Sequence, residues 1–242
     1  FNGDESYITT DIQRNSISSS DQDLTFSAWI KTNQINGAYQ AVFSSEGGLF
    51  FVGLKSDNTL YFQDGYSGSP YSGGSVDNLP IEIETWTHIA YVIRNNNQYL
   101  YINGNEYPKG TYGGPPPSNH PIWIGRELES SGYNFNGLID DAQIWNYGLS
   151  QIEIQSFMDC APDGQENGLI AYWNFEENIN SVSNYSINSE IVGALSFQDE
   201  TPDQNCNNVC CTHVPEGEPC AGCTDETAFN YNPEAVDDDG SC

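Results

Sequence analysis

The stretch that most constrains this chain is FNGLIDDAQIWNYGLSQIEIQSFM, from Phe135 to Met158. Its first half predicts a β-strand with both faces mostly covered, because apolar residues occur on each side of a period of two. On one face these residues are Leu138, Ala142 and Ile144, and on the other they are Ile139 and Trp145. Its second half predicts a short amphipathic helix, because Ser150 and Glu153 form an S-x-x-E capping box ahead of apolar residues at helical spacing.

Two acids, Asp140 and Asp141, interrupt this otherwise apolar strand. The alternation of a strand predicts that they point to opposite sides. Burying a carboxylate in such a strand costs free energy unless something neutralises it. A bound cation is the simplest explanation, and hydrogen bonds from backbone amides or from a serine are the alternative.

Charge and length exclude several classes of function. The chain has 6 Lys and Arg against 34 Asp and Glu, a net charge of −28, which excludes nucleic-acid or anionic-membrane binding through a basic patch. It has no run of about 18 apolar residues, so we expect no membrane insertion. Its 242 residues can bury one sandwich core. Because the sequence starts at Phe1 without a Met or a leader, we expect a processed form or a piece of a longer protein.

The rest of the chain up to about residue 200 predicts further strands. Alternating or apolar runs include 23–32 and 86–94, and Asn103-Gly104 predicts a tight hairpin between two more strands. Glycine, serine and proline predict loops at 64–74 and 111–119. The final strands are predicted at 168–176 and 193–197, and the fold class is therefore all-β.

Several of these runs together resemble laminin G-like domains of the concanavalin A-like superfamily. The similar segments are FNGDESYITT, DLTFSAWIKT, WTHIAYVIR, and the GLIDDAQIWN strand with its GLSQIEI helix. The resemblance implies an antiparallel two-sheet β-sandwich, a jelly-roll with one short helix, over residues 1–205. The run AYWNFEE, which opens the domain in many relatives, comes last here. It implies a circularly shifted arrangement in which the final strands close the sheet beside Phe1–Thr10.

The resemblance also implies a structural calcium ion as the cofactor. In similar domains such an ion links the first turn to the acid of the late strand. Carried over by position, the ligands are Asp4, or backbone carbonyls around Asn2 and Gly3, together with Asp140. Asp141 occupies the neighbouring acid position.

Residues 206–242 form a separate Cys- and Asp-rich tail that is too poor in apolar residues to fold without disulfides. Its end, GCTDETAFNYNPEAVDDDGSC, resembles a short motif of secreted, multidomain bacterial surface proteins. Asp237 and Asp239, just before Gly240, resemble part of a calcium-binding loop, and solvated turn acids are the alternative.

Seven cysteines, six of them after residue 200, predict disulfides and an oxidising, extracellular setting. Relatives often have cysteines at the positions of Cys160 and Cys206, so the resemblance implies that these two pair. Cys223 and Cys242 bracket the tail motif and are predicted to form a second disulfide. The remaining cysteines, an odd number, are Cys210, Cys211 and Cys220. A zinc site is the alternative, and its ligands would be Cys210, Cys211, His213, Cys220 and Cys223.

Four tyrosines in Gly-, Ser- or Pro-rich loops are candidate ligand-binding residues: Tyr66, Tyr71, Tyr112 and Tyr133. Rings held by such loops can stack on the face of a sugar while nearby Asn and Asp bond its hydroxyls. The alternative is that the rings pack over the rim of the sandwich.

Catalytic motifs are missing from the sequence. A retaining glycosidase of the laminarinase type needs an E-x-D-x-E or E-x-D-x-x-E strand, and the nearest run, Glu82-Ile83-Glu84, lacks the central Asp. His88 lies in an apolar strand pattern, which favours a structural histidine over a catalytic base. We therefore expect a non-catalytic protein.

The sequence as a whole predicts an extracellular recognition or adhesion module of a larger cell-surface or secreted protein. It would be calcium-stabilised and would bind glycans or surface proteins. Two alternatives remain. One is a structural spacer or filament subunit that packs against neighbouring domains or copies of itself, and the other is a glycoside hydrolase-like enzyme.

Overall fold

The computed structural model describes residues 1–3, 6–17, 23–33, 39–45, 50–64, 72–114, 120–127, 133–204, 206, 221–222 and 237–238. Several of the predicted site residues lie outside this part of the chain, namely Asp4, Tyr66, Tyr71, Asp239, Cys223 and Cys242. The cysteines and the histidine of the alternative zinc site lie outside it as well. Of the tail, the described residues show a short parallel pair between Ala221–Gly222 and Asp237–Asp238.

The described part of the sandwich contains these strands: β1 (Tyr7–Gln13), β2 (Leu24–Thr32), β3 (Gln40–Ser45), β4 (Phe50–Leu54), β5 (Thr59–Asp64), β6 (Ser72–Pro80), β7 (Thr87–Arg94), β8 (Asn97–Ile102), β9 (Asn105–Thr111), β10 (Pro121–Ile124), β11 (Gly137–Trp145), β12 (Leu169–Trp173) and β13 (Ser189–Val192). One sheet has seven strands in the order β13-β1-β10-β3-β4-β5-β6, and the other has six in the order β12-β11-β2-β7-β8-β9. All neighbouring strands in the two sheets are antiparallel, which confirms the predicted two-sheet sandwich. Among the described residues, no helix has the length and apolar character needed to cross a membrane.

The core lies between the two sheets and is built from alternate residues of their strands. In β7, Ile89, Tyr91 and Ile93 face this core, whereas Ala90 and Val92 face the opposite side of the six-stranded sheet. Both sides are buried, which explains why the WTHIAYVIR segment is apolar almost throughout.

One α-helix, α1 (Gln151–Asp159), covers the outer face of the six-stranded sheet. The predicted capping box is confirmed: Glu153 donates its backbone N–H to Ser150 Oγ at 3.2 Å, and Ser150 donates its own to Glu153 Oε2 at 2.6 Å. The ring of Phe157 packs on Trp145 with their centroids 4.5 Å apart. The helix is therefore held by its cap and by burial of one apolar face.

The chain closes on itself much as the circular shift predicts, with two differences. β13 pairs with β1, but it spans Ser189–Val192 rather than 193–197. β12 joins the other sheet, beside β11. A further strand, β6, begins inside the predicted loop 64–74. Its sequence does not alternate, and it is a strand because its backbone pairs with β5 at the edge of the sheet.

A β-bulge in β11 changes the predicted alternation of this strand. Asp140 lies opposite Trp29 of β2 and Gln143 lies opposite Ser27, so β11 advances three residues while β2 advances two. Asp141 has the left-handed backbone angle φ = 46°. The residues of β11 that face the core, which we call its inner row, are consequently Ile139, Ala142 and Ile144. The predicted placement of Leu138 in this row is wrong, and both acids lie outside the row.

A buried ion pair, which sequence reasoning did not identify, lies between the end of β1 and the end of β5, and a hydrogen bond from Tyr91 connects it to the other sheet. Arg14 donates to Asp64 at the end of β5, and its Nη2 lies 3.1 Å from the hydroxyl of Tyr112. Tyr91 of β7 also donates to Asp64, at 3.0 Å, and Gln98 donates to Tyr91 at 2.7 Å. Arg14 is 1% exposed and Asp64 is 0% exposed. Each charge is therefore neutralised by the other, because water reaches neither side chain.

We expect Arg14→Met to lower the free energy of unfolding by about 3–5 kcal/mol, because it leaves Asp64 as an uncompensated buried charge. Lys55→Met is the matched control. Lys55 lies 3.6 Å from Asp57 and 3.8 Å from Asp77 in a partly exposed pair, and its loss should cost less than about 1 kcal/mol. Urea denaturation measures the loss of unfolding free energy in each variant. Equal losses would contradict the interpretation of Arg14 and Asp64 as a buried ion pair on which stability depends.

Candidate functional site

The first turn of the chain lies against the start of β11. The nitrogen of Phe1 donates a hydrogen bond to Gly137 O at 3.0 Å, and the N–H of Gly137 donates one to Phe1 O at 2.9 Å. Gly3 N–H donates to Phe135 O at 3.0 Å. The predicted proximity of these two segments is therefore present, and main-chain hydrogen bonds hold it.

Asp141 is a buried acid whose two carboxylate oxygens are both bonded by protein donors. The hydroxyl of Tyr172 donates to Oδ1 at 2.6 Å, and Gln204 Nε2 donates to Oδ2 at 2.9 Å. Gln204 Nε2 also contacts the carbonyl of Met158 at 3.1 Å. Burial raises the pKa of Asp141 above its ordinary value, although these two donors act in the opposite direction. Asp141 thus links β11 to β12 and to the segment that precedes Cys206.

Asp140 lies in a different environment, on the wall of a cavity of about 470 Å³ at the open edge of the sandwich. The neighbouring N–H of Asp141 donates to Asp140 Oδ1 at 2.9 Å. Burial, followed by the negative charges of Asp141 and Glu176, raises the pKa of Asp140 to about 7. The other lining residues with oxygen-bearing side chains are Asn174, Glu176, Glu177, Ser196, Gln198, Asp199, Glu200 and Thr201.

The loop on one side of this cavity has an unusual backbone. Phe175 has φ = 49° and Glu177 has φ = 59°, both in the left-handed region that non-glycine residues rarely adopt. Together with Asp141, three such residues lie at or beside the cavity. Strained backbone of this kind often accompanies binding sites.

The donor set around Asp140 is compatible with a hard cation, although it is incomplete among the described residues. Calcium takes six to eight oxygen ligands from carboxylates, amides and carbonyls, and all of these line the cavity. Within the described part of the chain, no group of three or more His, Cys, Asp or Glu is arranged to hold a metal ion. A site here would therefore need main-chain and amide oxygens in addition to Asp140.

The disulfide between Cys160 and Cys206 is formed, as the resemblance implies. It links two residues 46 positions apart, Cys160 at the end of α1 and Cys206 after the last strand of the sandwich. Disulfides are typical of proteins in oxidising compartments.

A cluster of aromatic side chains lies on the outer face of the seven-stranded sheet, and we call Tyr39, Phe51, Tyr61 and Tyr133 the aromatic cluster. The ring of Tyr39 lies 5.1 Å from Tyr133, 5.6 Å from Tyr61 and 6.0 Å from Phe51, between centroids. Phe51 is buried beneath the others, whereas the three tyrosines are half-buried. Each tyrosine thus keeps part of its surface open to solvent.

Strand alternation explains why Phe51 and Tyr61 face outward. Their neighbours in β4 and β5 point into the core, namely Phe50, Val52, Leu60 and Phe62. Gln63 shares the outward face with Tyr61 and accepts a hydrogen bond from its hydroxyl at 3.3 Å. Tyr133 joins them because Ala41 of β3 donates its N–H to Tyr133 O at 3.1 Å.

Of the four tyrosines predicted to bind a ligand, the structure describes Tyr112 and Tyr133, and it places them in different environments. Tyr133 belongs to the aromatic cluster and is partly exposed. The predicted exposure of Tyr112 is wrong: it is 6% exposed, lies in the core and contacts Arg14 through its hydroxyl. Sequence reasoning missed Tyr39, Phe51 and Tyr61. The alternation of Tyr61 and Gln63 with apolar residues in β5 was a signal that could have placed Tyr61 on a surface.

The residues considered for catalysis do not form a cleft. Glu82 and Glu84 are both exposed in the turn that precedes β7. Burial lowers the pKa of His88 to about 3, so this histidine is neutral at pH 7, and its ring lies edge-on to Trp29 at 5.5 Å. His88 is thus a structural residue of the outer sheet face.

Comparison with family models matches residues 2–155 to a laminin G type domain described as the Concanavalin A-like lectin/glucanases superfamily. The match confirms the predicted resemblance over those residues, and the superfamily description itself includes both lectins and glucanases. Comparison with curated proteins finds no match.

Solved structures share the fold at low sequence identity. A Bacteroides ovatus ATCC 8483 protein, provisionally described as carbohydrate binding, has a TM-score of 0.65 and 15% identity over 82% of this chain and 59% of its own. A heptameric SAP-like pentraxin from Limulus polyphemus has a TM-score of 0.51 and 18% identity over 79% of this chain and 89% of its own. Domain 4 of a Geobacillus stearothermophilus extracellular arabinanase, solved with arabinotriose, has a TM-score of 0.52 and 24% identity over 64% of this chain and 73% of its own. This chain thus spans little more than half of the first of these proteins.

In buffer with a chelator, we expect the free energy of unfolding of the wild type to fall as the pH rises from about 4 to about 7. The folded state keeps a proton on Asp140 up to about pH 7, whereas the unfolded chain loses it near 3.8, so the folded state binds more protons in this window. Asp140→Asn removes this contribution, and Asp77→Asn, at an exposed acid, is the matched control. Denaturation at several pH values measures the slope. Equal slopes in the wild type and in Asp140→Asn would contradict the expectation.

Proposed function

Because the chain belongs to the Concanavalin A-like lectin/glucanase superfamily, we propose that it is a non-catalytic, extracellular carbohydrate-recognition module. The formed Cys160–Cys206 disulfide supports an oxidising location. Two proteins of similar fold are described in connection with carbohydrates, which supports the ligand class without identifying the ligand. The module serves adhesion or recognition for a larger surface or secreted protein.

The observation that carries this proposal is the aromatic cluster. Half-exposed tyrosine rings can stack on the apolar face of a sugar, and the Gln63 amide beside them can bond its hydroxyls. Phe51 beneath the tyrosines fixes their position through packing. Phe51, Tyr61 and Gln63 of this binding surface lie on strands, which hold their geometry more rigidly than loop residues, and Tyr39 and Tyr133 pack against them from outside the strands.

Calcium is the second part of the proposal. Asp140 is the central ligand, and Asn174 and Glu176, which line the same cavity, contribute oxygens to the same ion. Main-chain oxygens of the first turn and Asp4 complete the set. The ion would neutralise the carboxylates at this edge and serve stability rather than catalysis.

Self-association, the structural alternative, has one observation in its favour. β13 forms an edge of the seven-stranded sheet, and its Ile191 and Val192 are exposed. Such edges can pair with a strand of another chain. The net charge of −28 opposes association of copies, which is why we favour glycan recognition. The enzyme alternative has no pair of facing carboxylates among the described residues considered for it.

We expect Tyr61→Ala to weaken glycan binding by about 1–3 kcal/mol, taking as a guide the value of an aromatic ring that stacks on a nucleobase. A glycan array identifies the ligand, and calorimetry with that ligand measures the loss. Tyr185→Ala is the matched control, because Tyr185 is exposed but lies outside the aromatic cluster. The proposal fails if the wild type binds no glycan, or if it releases products from the polysaccharides tested.

We expect calcium to raise the midpoint of thermal unfolding, with a stabilisation of about 2.7 kcal/mol at a concentration 100 times the dissociation constant. Asp140→Asn should lose this stabilisation, whereas Asp77→Asn should keep it. Magnesium should replace calcium poorly, because it requires stricter octahedral geometry. Differential scanning calorimetry measures all three. A calcium effect of full size in Asp140→Asn would place the ion elsewhere.

A further inference from the structure

We propose that the aromatic cluster accepts an uncharged glycan and rejects glycans that carry carboxylate or sulfate groups. This inference rests on the proposed function and specifies the chemical class of its ligand. It depends on the charges around the cluster on the seven-stranded sheet.

Among the described residues, the cross-strand neighbours of Phe51 and Tyr61 carry no charge. Phe51 lies beside Ser44 on β3 and beside Gln63 on β5. Tyr61 lies beside Gly53 on β4 and beside Ser75 on β6. Gln63 lies beside Gly73 on β6. The polar groups that can meet a ligand here are hydroxyls and an amide, which suit sugar hydroxyls.

The small neighbours also keep the surface accessible. Gly53 and Gly73 have no side chains, so nothing from those positions covers the ring of Tyr61 or the amide of Gln63. On the sheet, the patch from Phe51 to Ser75 crosses β4, β5 and β6. With strands about 4.8 Å apart, this span is about 10 Å.

The charged side chains further along this face have a net negative charge, because one lysine lies between two aspartates. Lys55, two residues beyond Gly53, lies 3.6 Å from Asp57 and 3.8 Å from Asp77. Asp77 is itself two residues beyond Ser75 on the same side of β6. A lysine held between two aspartates gives an incoming anion no net attraction.

The other positive residues are also engaged. Arg14 pairs with Asp64 in the core, Lys31 with Glu200 and Arg94 with Glu106. Lys109 donates to the carbonyl of Ser75 at 2.8 Å, and Arg126 lies over the ring of Tyr7 at 5.2 Å.

The overall charge acts in the same direction. A polyanion that approaches a chain of net charge −28 is repelled at ranges up to the Debye length, about 10 Å at 0.1 M salt. A neutral polymer meets no such barrier. The protein therefore selects against anionic glycans mainly by repulsion, and the ammonium group of Lys109, which lies beside Ser75, already interacts with Asp77.

The experiment compares derivatives of one polymer. The probes are neutral arabinan, β-glucan, mannan and xylan, and the neutral polymer that binds is then tested as its carboxymethyl and hydroxyethyl derivatives. The two substituents are similar in size, and only the first carries a charge. Binding is measured at constant calcium, at low and at high sodium chloride, for the wild type and for Tyr61→Ala.

We expect the carboxymethyl derivative to bind about tenfold or more weakly than the hydroxyethyl derivative at low salt, with the difference shrinking as salt screens the repulsion. Tyr61→Ala should weaken binding of the neutral polymer. Equal or tighter binding of the carboxymethyl derivative would overturn this inference, as would neutral binding that is insensitive to Tyr61→Ala. If only polygalacturonate or a sulfated polysaccharide binds, glycan recognition stands and this inference falls. If no polysaccharide of either kind binds, both fall.

Discussion

The bulge at Asp140 and Asp141 is the feature on which the arrangement of β11 depends. An unbroken strand would direct one of these carboxylates into the apolar space between the sheets, at a cost that hydrogen bonds alone rarely offset. The extra residue instead keeps Ile139, Ala142 and Ile144 in the inner row and leaves both acids outside it. Asp141 can then join β12 to the end of the sandwich, and Asp140 can face the open edge. The left-handed backbone of Asp141 is the conformational cost of this solution.

Local signals in the sequence were sufficient for much of the fold. The capping box of Ser150 and Glu153 locates the helix, and Asn103-Gly104 forms the tight turn between β8 and β9 with φ of 47° and 71°. Both features depend on residues close together in the chain, which periodicity and turn chemistry can identify. β6 escaped prediction because its sequence, SGGSVDNLP, has no alternation. Its conformation comes from pairing with β5.

The candidate sites depend on contacts that no spacing reveals. Arg14 and Asp64 are 50 residues apart in sequence, and Tyr39 and Tyr133 are nearly twice as far. Loop composition suggested tyrosines at the rim, and that reasoning placed Tyr133 on the surface but misplaced Tyr112, whose ring fills the core beside Arg14. The aromatic cluster arises from the register of the strands, which is set by the whole sheet rather than by any one segment.

The position of the Cys160–Cys206 bridge has a consequence for where a bound ligand would lie. Cys160 ends the helix that covers the outer face of the six-stranded sheet, and residue 206 is bonded there. The aromatic cluster lies on the outer face of the other sheet, on the far side of the sandwich. Cys206 and the aromatic cluster therefore lie on opposite sides of the sandwich, and a ligand bound at the cluster would be remote from the disulfide.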